Sequence, residues 1–399
     1  MALIRQRSEG CGLRGPGRPQ LPAPPARFGG PGVRNFSTTK RIVIKIGTNL
    51  ITTENALDTE YMDTISHQIA ELVENDYQVL LVSSGAIGMG ATELGFATRV
   101  TDVRMRQACA AIGQPLLMHQ YRESFVPHNI RIAQVLITRE VLNNRKSYLN
   151  LRNSVEELLD LHVVPIFNEN DSISTDEIGN AFGDNDRLSA MVASKVDADL
   201  LVILSDIEAL FDDDPKGGRE VHRIPVVEQV DDEILSYAGS PGSRFSTGGM
   251  LTKLKAASIA ASAGCRTVLA HGRQPRILQR ILVGEDIGTL FLAQEKLSAR
   301  TRWILNSSPK GKIVVDEGAL AALRRHKSLL PSGIKSVEGI FNEGDVVLIN
   351  EVAKAVPAYN SSEIESLMGK HTRAVTELYG SARRDEIARP EDIVFVVEA

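Results

Sequence analysis

The chain has 399 residues, of which 43% are hydrophobic and 24% charged, and its formal net charge is −5. These values are typical of a soluble globular protein with enough material for two domains. No apolar run reaches about 18 residues, which argues against a membrane span. Cys11, Cys109 and Cys265 lie far apart, which argues against a disulfide scaffold and a structural zinc site.

The N-terminal segment differs in composition from the rest of the chain. Residues 1–41 hold seven Arg and one Lys against one acid, Glu9, so the remainder carries a net charge of −12. The first 35 residues are also rich in Gly and Pro, which predicts disorder. Such a leader is compatible with a mitochondrial transit peptide, although its prolines would break an amphipathic helix. We predict a disordered leader over residues 1–38 and a cytoplasmic protein, with a mitochondrial location as the alternative.

From residue 41 onward, apolar strands alternate with helices. The predicted strands are RIVIKIG, YQVLLV, IRIAQVLIT, HVVPIFNEN and ADLLVILSD. The helical patterns between them are TEYMDTISHQIAELVEN, RKSYLNLRNSVEELLDL and DRLSAMVASKV. Strands rich in Val, Ile and Leu that alternate with helices predict a mostly parallel sheet covered on both faces. In such a sheet, ligands bind beyond the carboxyl ends of the strands.

Polar or small residues follow each of these strands. They are Lys45 to Asn49, Ser83 to Gly85, Asn168 to Asp171, and Ser205 with Asp206. Glycine-rich turns after strands favour phosphate binding because they expose backbone N–H groups. The chain has no GxxxxGK[ST], and no GxGxxG follows its first strand, so a nucleotide would bind in another geometry.

Two lysines are candidates for contact with a phosphate. Lys45 lies inside an apolar strand, where it would either snorkel outward, mark an edge, or reach the end of the strand. Lys253 follows Gly248 and Gly249 in the first turns of a predicted helix. The start of this helix is either ordinary solvent-exposed surface or an anion-binding site.

A second polar cluster, GDND, precedes the helix that begins near residue 185. One of Asp184, Asn185 and Asp186 could cap the helix, but capping does not account for three polar residues. A carboxylate between two lysines would hold both near the same phosphates. The remaining polar groups could bind a small zwitterion, with Asn168 to Asp171 across the pocket.

After about residue 306, short strands with turn signals replace the α/β pattern. The runs GKIVVDEGALAAL, SLLPSGIKSVEG, GDVVLINE and AKAVPAYN indicate a small β-rich domain.

Six motifs, in order, resemble those of the amino-acid-kinase family in its glutamate 5-kinase branch. They are IVIKIGTN, VSSGAIGMG, FNENDSIST, FGDNDRLSA, ILSDIEALF and STGGMLTKLKAA. The C-terminal LLPSGIKSV and GDVVLI are similar to the PUA domain that is fused to many such kinases. The resemblance implies a three-layer α/β kinase domain with a mostly parallel central sheet over residues 39–295. A PUA-like domain would span residues 306–396.

The resemblance also implies roles for the candidate site residues. Lys45 and Lys253 would stabilise the phosphoryl group during its transfer, and Asp186 would hold both lysines in position. The substrate-binding residues would be Ser84, Asp171 and Asn185, with Asn168 and Asp184 close by. The nucleotide would lie against Lys45, Ser205, Asp206, Thr247, Gly248, Gly249, Met250 and Lys253.

The implied reaction is ATP-dependent phosphorylation of the L-glutamate side-chain carboxylate to L-glutamyl 5-phosphate, the first step of proline synthesis. A carboxylate is already nucleophilic at neutral pH, so no general base is needed. Mg²⁺ would be held by ATP and water, and no protein metal site is predicted. The family further implies inhibition by proline and a homodimer or homotetramer.

Two other functions stay open. A sibling kinase would act on another acceptor, such as aspartate or acetylglutamate. An RNA-binding protein would work through the C-terminal domain. However, residues 305–399 hold 12 Lys and Arg against 14 Asp and Glu, which argues against the basic face that nucleic-acid binding needs.

Overall fold

The computed structural model describes most of the chain from residue 33 onward. The described residues are 33–52, 57–98, 100–138, 141–142, 144–173, 185–213, 220–238, 249–371, 373, 375, 378 and 383–396. The first 32 residues of the predicted leader lie outside them. Every helix within these ranges is too short or too polar to span a bilayer.

A mostly parallel sheet of eight strands forms the centre of the first unit. Its strands are β1 Arg41–Ile46, β2 Gln78–Val82, β3 Arg131–Ile137, β4 Val163–Glu169, β5 Leu200–Ser205, β6 Val226–Val227, β7 Arg266–His271 and β8 Thr289–Phe291. Their order is β3-β4-β2-β1-β5-β7-β8-β6, and the pairing of β7 with β8 is antiparallel. The central strands β1, β2 and β5 are almost wholly buried, which explains their unbroken apolar sequences.

Helices cover both faces of this sheet. They are α1 Thr48–Ile51, α2 Thr59–Glu74, α3 Ala86–Glu93, α4 Val103–Phe125, α5 Arg145–Asp160, α6 Asn185–Lys195, α7 Asp232–Ser236, α8 Met250–Ala261 and α9 Ile277–Leu282. One apolar core includes Ile65 of α2 and Leu117 of α4, and the other includes Met191 of α6 and Leu254 of α8. The three-layer α/β prediction is therefore confirmed.

The alternation of side chains along β1 decides where Lys45 points. Ile42, Ile44 and Ile46 belong to one core and Val43 to the other. Successive side chains of a strand face opposite sides, so Lys45 lies on the side of Val43, toward α6 and α8. It is 7% exposed in a central strand. The sequence alternatives of a surface or edge lysine are therefore wrong.

The predicted leader boundary at residue 38 lies too far along the chain. Phe36 is 2% exposed in the first core, and the Arg266 guanidinium lies 4.4 Å from its ring centroid. Arg34 donates to the carbonyls of Pro225 at 2.7 Å and Ile287 at 2.9 Å. Composition alone missed this contact because one aromatic and one arginine are enough to bind the segment to the sheet.

α3 and α4 pack with their backbones in contact. A Cβ atom at Gly113 would lie 1.9 Å from the carbonyl oxygen of Ala86, and one at Gly90 would lie 1.9 Å from that of Cys109. Glycine is therefore required at both positions for this close approach. The contact places α4, which has no counterpart among the predicted elements, directly behind the ends of β2 and β4.

A second sheet, of five strands, forms the C-terminal unit. Its strands are β9 Gly311–Val315, β10 Ile334–Glu338, β11 Val347–Ile349, β12 Ala353–Ala355 and β13 Ile393–Phe395, in the order β10-β9-β11-β12-β13. The prediction of short strands is wrong for the second half of GKIVVDEGALAAL. Asp316 caps a helix there through Ala319 N, and the following Ala and Leu residues favour a helix. The structure has this helix as α11 Glu317–Arg324, and a further helix, α12 Ser361–Leu367, follows.

One helix, α10 Ala299–Asn306, lies between the two units. Arg302 donates to Asp197 at 2.8 Å and to the carbonyl of Ser194, at the end of α6. On the other side, Trp303 packs against Val346 and Val356 of the C-terminal unit. The two units are therefore joined through α10 to the helix that begins with Asn185 and Asp186.

Candidate active site

The predicted strand ends meet where the strand order changes direction. From β1 the chain proceeds to β2 on one side, whereas β5 lies on the other. A crevice forms at such a switch point, beyond the carboxyl ends of the strands. Lys45 is the penultimate residue of β1, Ser83 and Ser84 follow β2, and Ser205 ends β5.

A buried ion triad occupies this crevice. Lys45 Nζ lies 2.7 Å from Asp186 Oδ1, and Lys253 Nζ lies 3.0 Å from Asp186 Oδ2. The three residues come from β1, α8 and the first turn of α6, and all three are buried. The structure thus places a carboxylate between two lysines, in the arrangement that the sequence predicted.

The charge state of Asp186 follows from its partners. Burial alone would raise its pKa, but the ammonium groups of Lys45 and Lys253 outweigh burial and lower the pKa to about 2. Asp186 is therefore a carboxylate at neutral pH, and the triad has a net charge of +1. Thr252, a residue to which the sequence assigned no role, donates from Oγ1 to Asp186 Oδ2 at 2.9 Å.

The first residue of α6, Asn185, faces the end of β4. Its Nδ2 donates to the carbonyl of Ser83 at 2.7 Å and to Asn168 Oδ1 at 3.2 Å. Its Oδ1 is buried and accepts no hydrogen bond from the described residues. An amide oxygen in this state is an acceptor that a ligand donor could use.

Asp171, just beyond β4, provides a second acceptor of this kind. The residue is 8% exposed, and its buried Oδ1 has no hydrogen-bond partner within the described ranges. Burial, and then the charge of Glu169, raise the pKa of Asp171 to about 7, although Arg106 acts in the opposite direction. A cation bound beside Asp171 would satisfy it and favour its ionised form.

Ser84 lies between the ends of β1 and β2. Its Oγ donates to the carbonyl of Ile46 at 3.2 Å and accepts from Thr48 Oγ1 at 2.9 Å. Gly85 follows with a φ of 101° and begins α3. This left-handed conformation favours glycine, so the SSG motif turns the chain sharply away from the strand end.

The β5 side of the crevice is polar and compact. Ser205 Oγ donates to Asp206 Oδ1 at 3.0 Å, and Asn49 Nδ2 donates to Asp206 Oδ2 at 3.0 Å. Burial raises the pKa of Asp206, but these two hydrogen bonds, a backbone hydrogen bond and the charge of Lys253 together outweigh burial and lower the pKa. A Cβ atom at Gly47 would lie 3.2 Å from the carbonyl oxygen of Leu204, so Gly47 keeps this part of the crevice narrow.

Several predicted site residues belong to this edge of the sheet, and others cannot be placed. Gly249 is the N-cap of α8 and Met250 is its first residue. Lys253, whose ammonium contacts Asp186, follows three residues after Met250. Asp184, Thr247 and Gly248 lie outside the described residues. The functions of all these side chains stay predictions.

Two residues of α4 support the strand ends, and no sequence motif identified either of them. Tyr121 OH lies 2.8 Å from Ser83 Oγ, and Gln114 Oε1 accepts from Asn168 Nδ2 at 2.8 Å. Both are buried. The buried residues of their helix form one face, but that face includes the polar Gln114, and the apolar Ile112 is exposed on the other side. The helix therefore lacks the clear apolar stripe by which a helix is recognised in a sequence.

Comparison with known proteins agrees with this architecture. Residues 40–271 match the model of the amino acid kinase family, and residues 311–379 match that of the PUA domain. A glutamate 5-kinase of Methanosarcina barkeri is 45% identical over 88% of this chain and 96% of its own length. One from Methanosarcina mazei is 43% identical over 91% and 98%, respectively.

Among solved structures, a UMP kinase from Bacillus anthracis is similar to 65% of this chain and 98% of its own, with 17% identity and a TM-score of 0.45. The sequence relatives decide the family. Because they match across both units and nearly their own full length, the chain belongs to the amino acid kinase family, in its glutamate 5-kinase branch with a PUA domain.

Proposed function

We propose that this protein transfers the γ-phosphoryl group of ATP to the side-chain carboxylate of L-glutamate. The observation that carries the proposal is the buried Lys45–Asp186–Lys253 triad beside the acceptor oxygens of Asn185 and Asp171, which have no hydrogen-bond partner among the described residues. The triad supplies positive charge for a transferred phosphoryl group, and the acceptors supply partners for an ammonium. A zwitterionic acceptor and a phosphoryl donor therefore suit opposite sides of one crevice.

In this reaction an oxygen of the γ-carboxylate forms a bond to the γ-phosphorus, and the bond to the bridging oxygen of ADP breaks. ADP leaves with the electron pair, and the product is an acyl phosphate. Lys45 and Lys253 stabilise the negative charge on the moving group, and Asp186 positions the two ammonium groups. Since the nucleophile is an ionised carboxylate, no side chain has to remove a proton.

In this proposal Mg²⁺ binds together with ATP. Among the described residues, no three His, Cys, Asp or Glu side chains form a metal-binding group. Asp206, ionised and near Lys253, is the described carboxylate on the nucleotide side of the crevice. When bound, Mg²⁺ would neutralise charge on the ATP phosphates.

The same pocket supports one finer part of the proposal, inhibition by L-proline. Proline carries an amine and an α-carboxylate but no acceptor carboxylate, so it would occupy the ammonium site without reacting and act as an inhibitor. A homodimer or homotetramer and a cytoplasmic location rest on family membership.

The test is to incubate the purified full-length protein with ATP, Mg²⁺ and hydroxylamine, which converts an acyl phosphate into a hydroxamate. We expect ADP release and hydroxamate formation with L-glutamate, and suppression of both by L-proline. L-aspartate and N-acetyl-L-glutamate serve as matched acceptors, one shorter by a methylene and one without the ammonium. Turnover with either of these, and none with L-glutamate, would show that the acceptor is assigned wrongly.

A further inference from the structure

Three buried side-chain amides form a chain of hydrogen bonds behind the ammonium site. Gln114 Oε1 accepts from Asn168 Nδ2 at 2.8 Å, and Asn168 Oδ1 accepts from Asn185 Nδ2 at 3.2 Å. Gln114 is 7% exposed, and the two asparagines are also buried. The chain thus runs from α4, across the end of β4, to the first residue of α6. At its far end lies Asn185 Oδ1, which has no partner among the described residues.

Backbone groups fix the direction of these hydrogen bonds. The N–H of Glu169 donates to Asn168 Oδ1 at 3.0 Å, which orients the Asn168 oxygen toward β4 and its Nδ2 toward Gln114. The carbonyl of Ser83 can only accept, so it requires Asn185 Nδ2. The oxygen of Asn185 therefore has to face away from both backbone groups, where it accepts from none of the described residues.

Gln114 completes this arrangement. Asn168 Nδ2 has two hydrogens in a buried place, and without an acceptor from α4 one of them would be unsatisfied. The close contact of Gly113 with Ala86 holds this part of α4 against α3. The backbone packing of α3 against α4 therefore sets the position of Gln114 next to Asn168.

We propose that Gln114 is a positioning residue that keeps the Asn185 oxygen aimed at the α-ammonium group of the acceptor. The inference rests on the proposed function, since it assigns an ammonium ligand to this pocket. Gln114 acts through Asn168 and Asn185 and does not itself touch the phosphoryl group. It thereby helps the enzyme to select an α-amino acid over a plain dicarboxylate.

The test compares Gln114→Met with the native full-length enzyme. The substitution keeps the volume and removes the acceptor, and we expect the KM for L-glutamate to rise about 3- to 10-fold. The KM for ATP and kcat should change less than about 2-fold. Glutarate lacks the ammonium group, so its Ki as a competitor of glutamate should stay the same.

Two further variants separate positioning from general damage to the fold. Gln114→Glu restores an acceptor for Asn168 and should return the glutamate KM to within about 3-fold of the native value. Gln279→Met removes a similarly buried amide, whose Nε2 donates to Glu71 at 2.6 Å outside the crevice, and should leave every KM unchanged. If Gln114→Met fails to fold, Gln114→Asn keeps an amide but is too short to reach Asn168, and the same readouts apply.

The outcomes are distinct. No turnover of L-glutamate by the native enzyme would overturn the proposed function, and this inference with it. Turnover by the native enzyme, with an unchanged glutamate KM in Gln114→Met, would overturn the inference alone. An equal rise in the glutamate KM and the glutarate Ki, or no recovery in Gln114→Glu, would also overturn it.

Discussion

Asp186 holds two lysines with one carboxylate, each ammonium within 3.0 Å of its own oxygen. Two buried ammonium groups that face the same phosphates repel each other, and a neutral side chain at this position would leave that repulsion uncompensated. The low pKa of Asp186, about 2, records how strongly both lysines favour its ionised form. Its neighbour Asn185 has the separate task of presenting an oxygen to the other side of the crevice.

The Asp186→Asn variant tests this division of labour. We expect kcat to fall by about 100-fold or more, because the lysines lose the charge that positions them, while the glutamate KM changes less than about 3-fold. Breaking a buried ion pair from one side should also lower the free energy of unfolding by about 3–5 kcal/mol. Steady-state kinetics and urea unfolding measure both effects.

Asn185→Ala is the paired variant, and it should raise the glutamate KM by about 10-fold with a smaller change in kcat. Asp232→Asn, on the exposed surface of α7, controls for the loss of a carboxylate alone. A fall in kcat with Asn185→Ala and a rise in KM with Asp186→Asn would reverse the assigned roles.

Asp171 predicts a pH dependence of glutamate binding. In the empty crevice its pKa is about 7, so the carboxyl is protonated below this pH and cannot pair with an ammonium. The kcat/KM for glutamate at saturating ATP should therefore rise by about tenfold per pH unit below pH 7 and level off above it. Initial rates measured from pH 5.5 to about 8.5 give this profile.

Asp171→Asn is the control, since it keeps the shape and removes the titration. Its kcat/KM should be low, and its profile should lack the step near pH 7. The folded chain holds the Asp171 proton up to a pKa of about 7, whereas the unfolded carboxyl loses it near the ordinary value of 3.8, so the native protein loses stability as the pH rises between these two values. The difference in thermal stability between the variant and the native protein should therefore favour the variant more at pH 8 than at pH 5. An equal difference at both pH values would contradict the assignment.

At the scale of elements, the central sheet could be predicted and α4 could not. β1, β2 and β5 are buried on both faces, so their sequences are continuous apolar runs that end at polar residues. α4 buries one face, but that face carries the polar Gln114 while the apolar Ile112 is exposed, and Gln114 acquires its partner from β4 only in the folded chain. The polar residues at the strand ends could thus be predicted from the sequence. The residues of α4 that orient their side chains could not, because their contacts depend on packing.

The glycines between α3 and α4 make this packing testable. In Gly113→Ala the new Cβ would lie 1.9 Å from the carbonyl oxygen of Ala86, so the two helices have to separate. We expect the variant to lose about 1–3 kcal/mol of unfolding free energy or more. Its glutamate KM should rise as well, because Gln114 moves with α4. Thermal unfolding and steady-state kinetics test the two effects together.

Gly88→Ala is the matched control in α3. A Cβ atom there meets nothing within 4 Å, and the backbone is that of an ordinary helix. This variant should gain about 0.5–1 kcal/mol from helix propensity, with no change in the glutamate KM. A similar loss of stability in both variants would show that the close contact of the helices is not the cause.

At the scale of the whole molecule, the C-terminal unit reaches the crevice through one helix. Lys354 of β12 donates to the carbonyls of Leu305 and Ser307 at the end of α10, at 2.5 and 2.9 Å. Burial, and then the charge of Arg187, lower the pKa of Lys354. α6 is therefore held at its far end by α10, and α10 is in turn held by β12 of the C-terminal unit.

Arg302 is the buried contact on which this connection depends most. It donates to Ser194 and Asp197 at the end of α6 while its neighbour Trp303 packs into the C-terminal unit. Arg302→Met removes the donors to the buried Ser194 carbonyl and to Asp197, although Asp197 keeps Lys296 and Arg152 as partners, and the lost hydrogen bond to the carbonyl costs about 1–3 kcal/mol. We expect α10 to stay with the C-terminal unit, so that thermal unfolding changes from one transition to two.

Trp303 is the one tryptophan of the chain, so its fluorescence reports directly on the contact between α10 and the C-terminal unit. In the native protein the fluorescence change should coincide with the loss of circular dichroism, because α10 is bound from both sides. In Arg302→Met the two signals should separate, with fluorescence following the C-terminal unit alone. Arg280→Met, which removes a partly exposed ion pair with Glu285, should leave the signals coincident, since such pairs contribute about 1 kcal/mol or less. Coincident signals in Arg302→Met would show that other contacts, such as those of Lys354, are sufficient to join the two units.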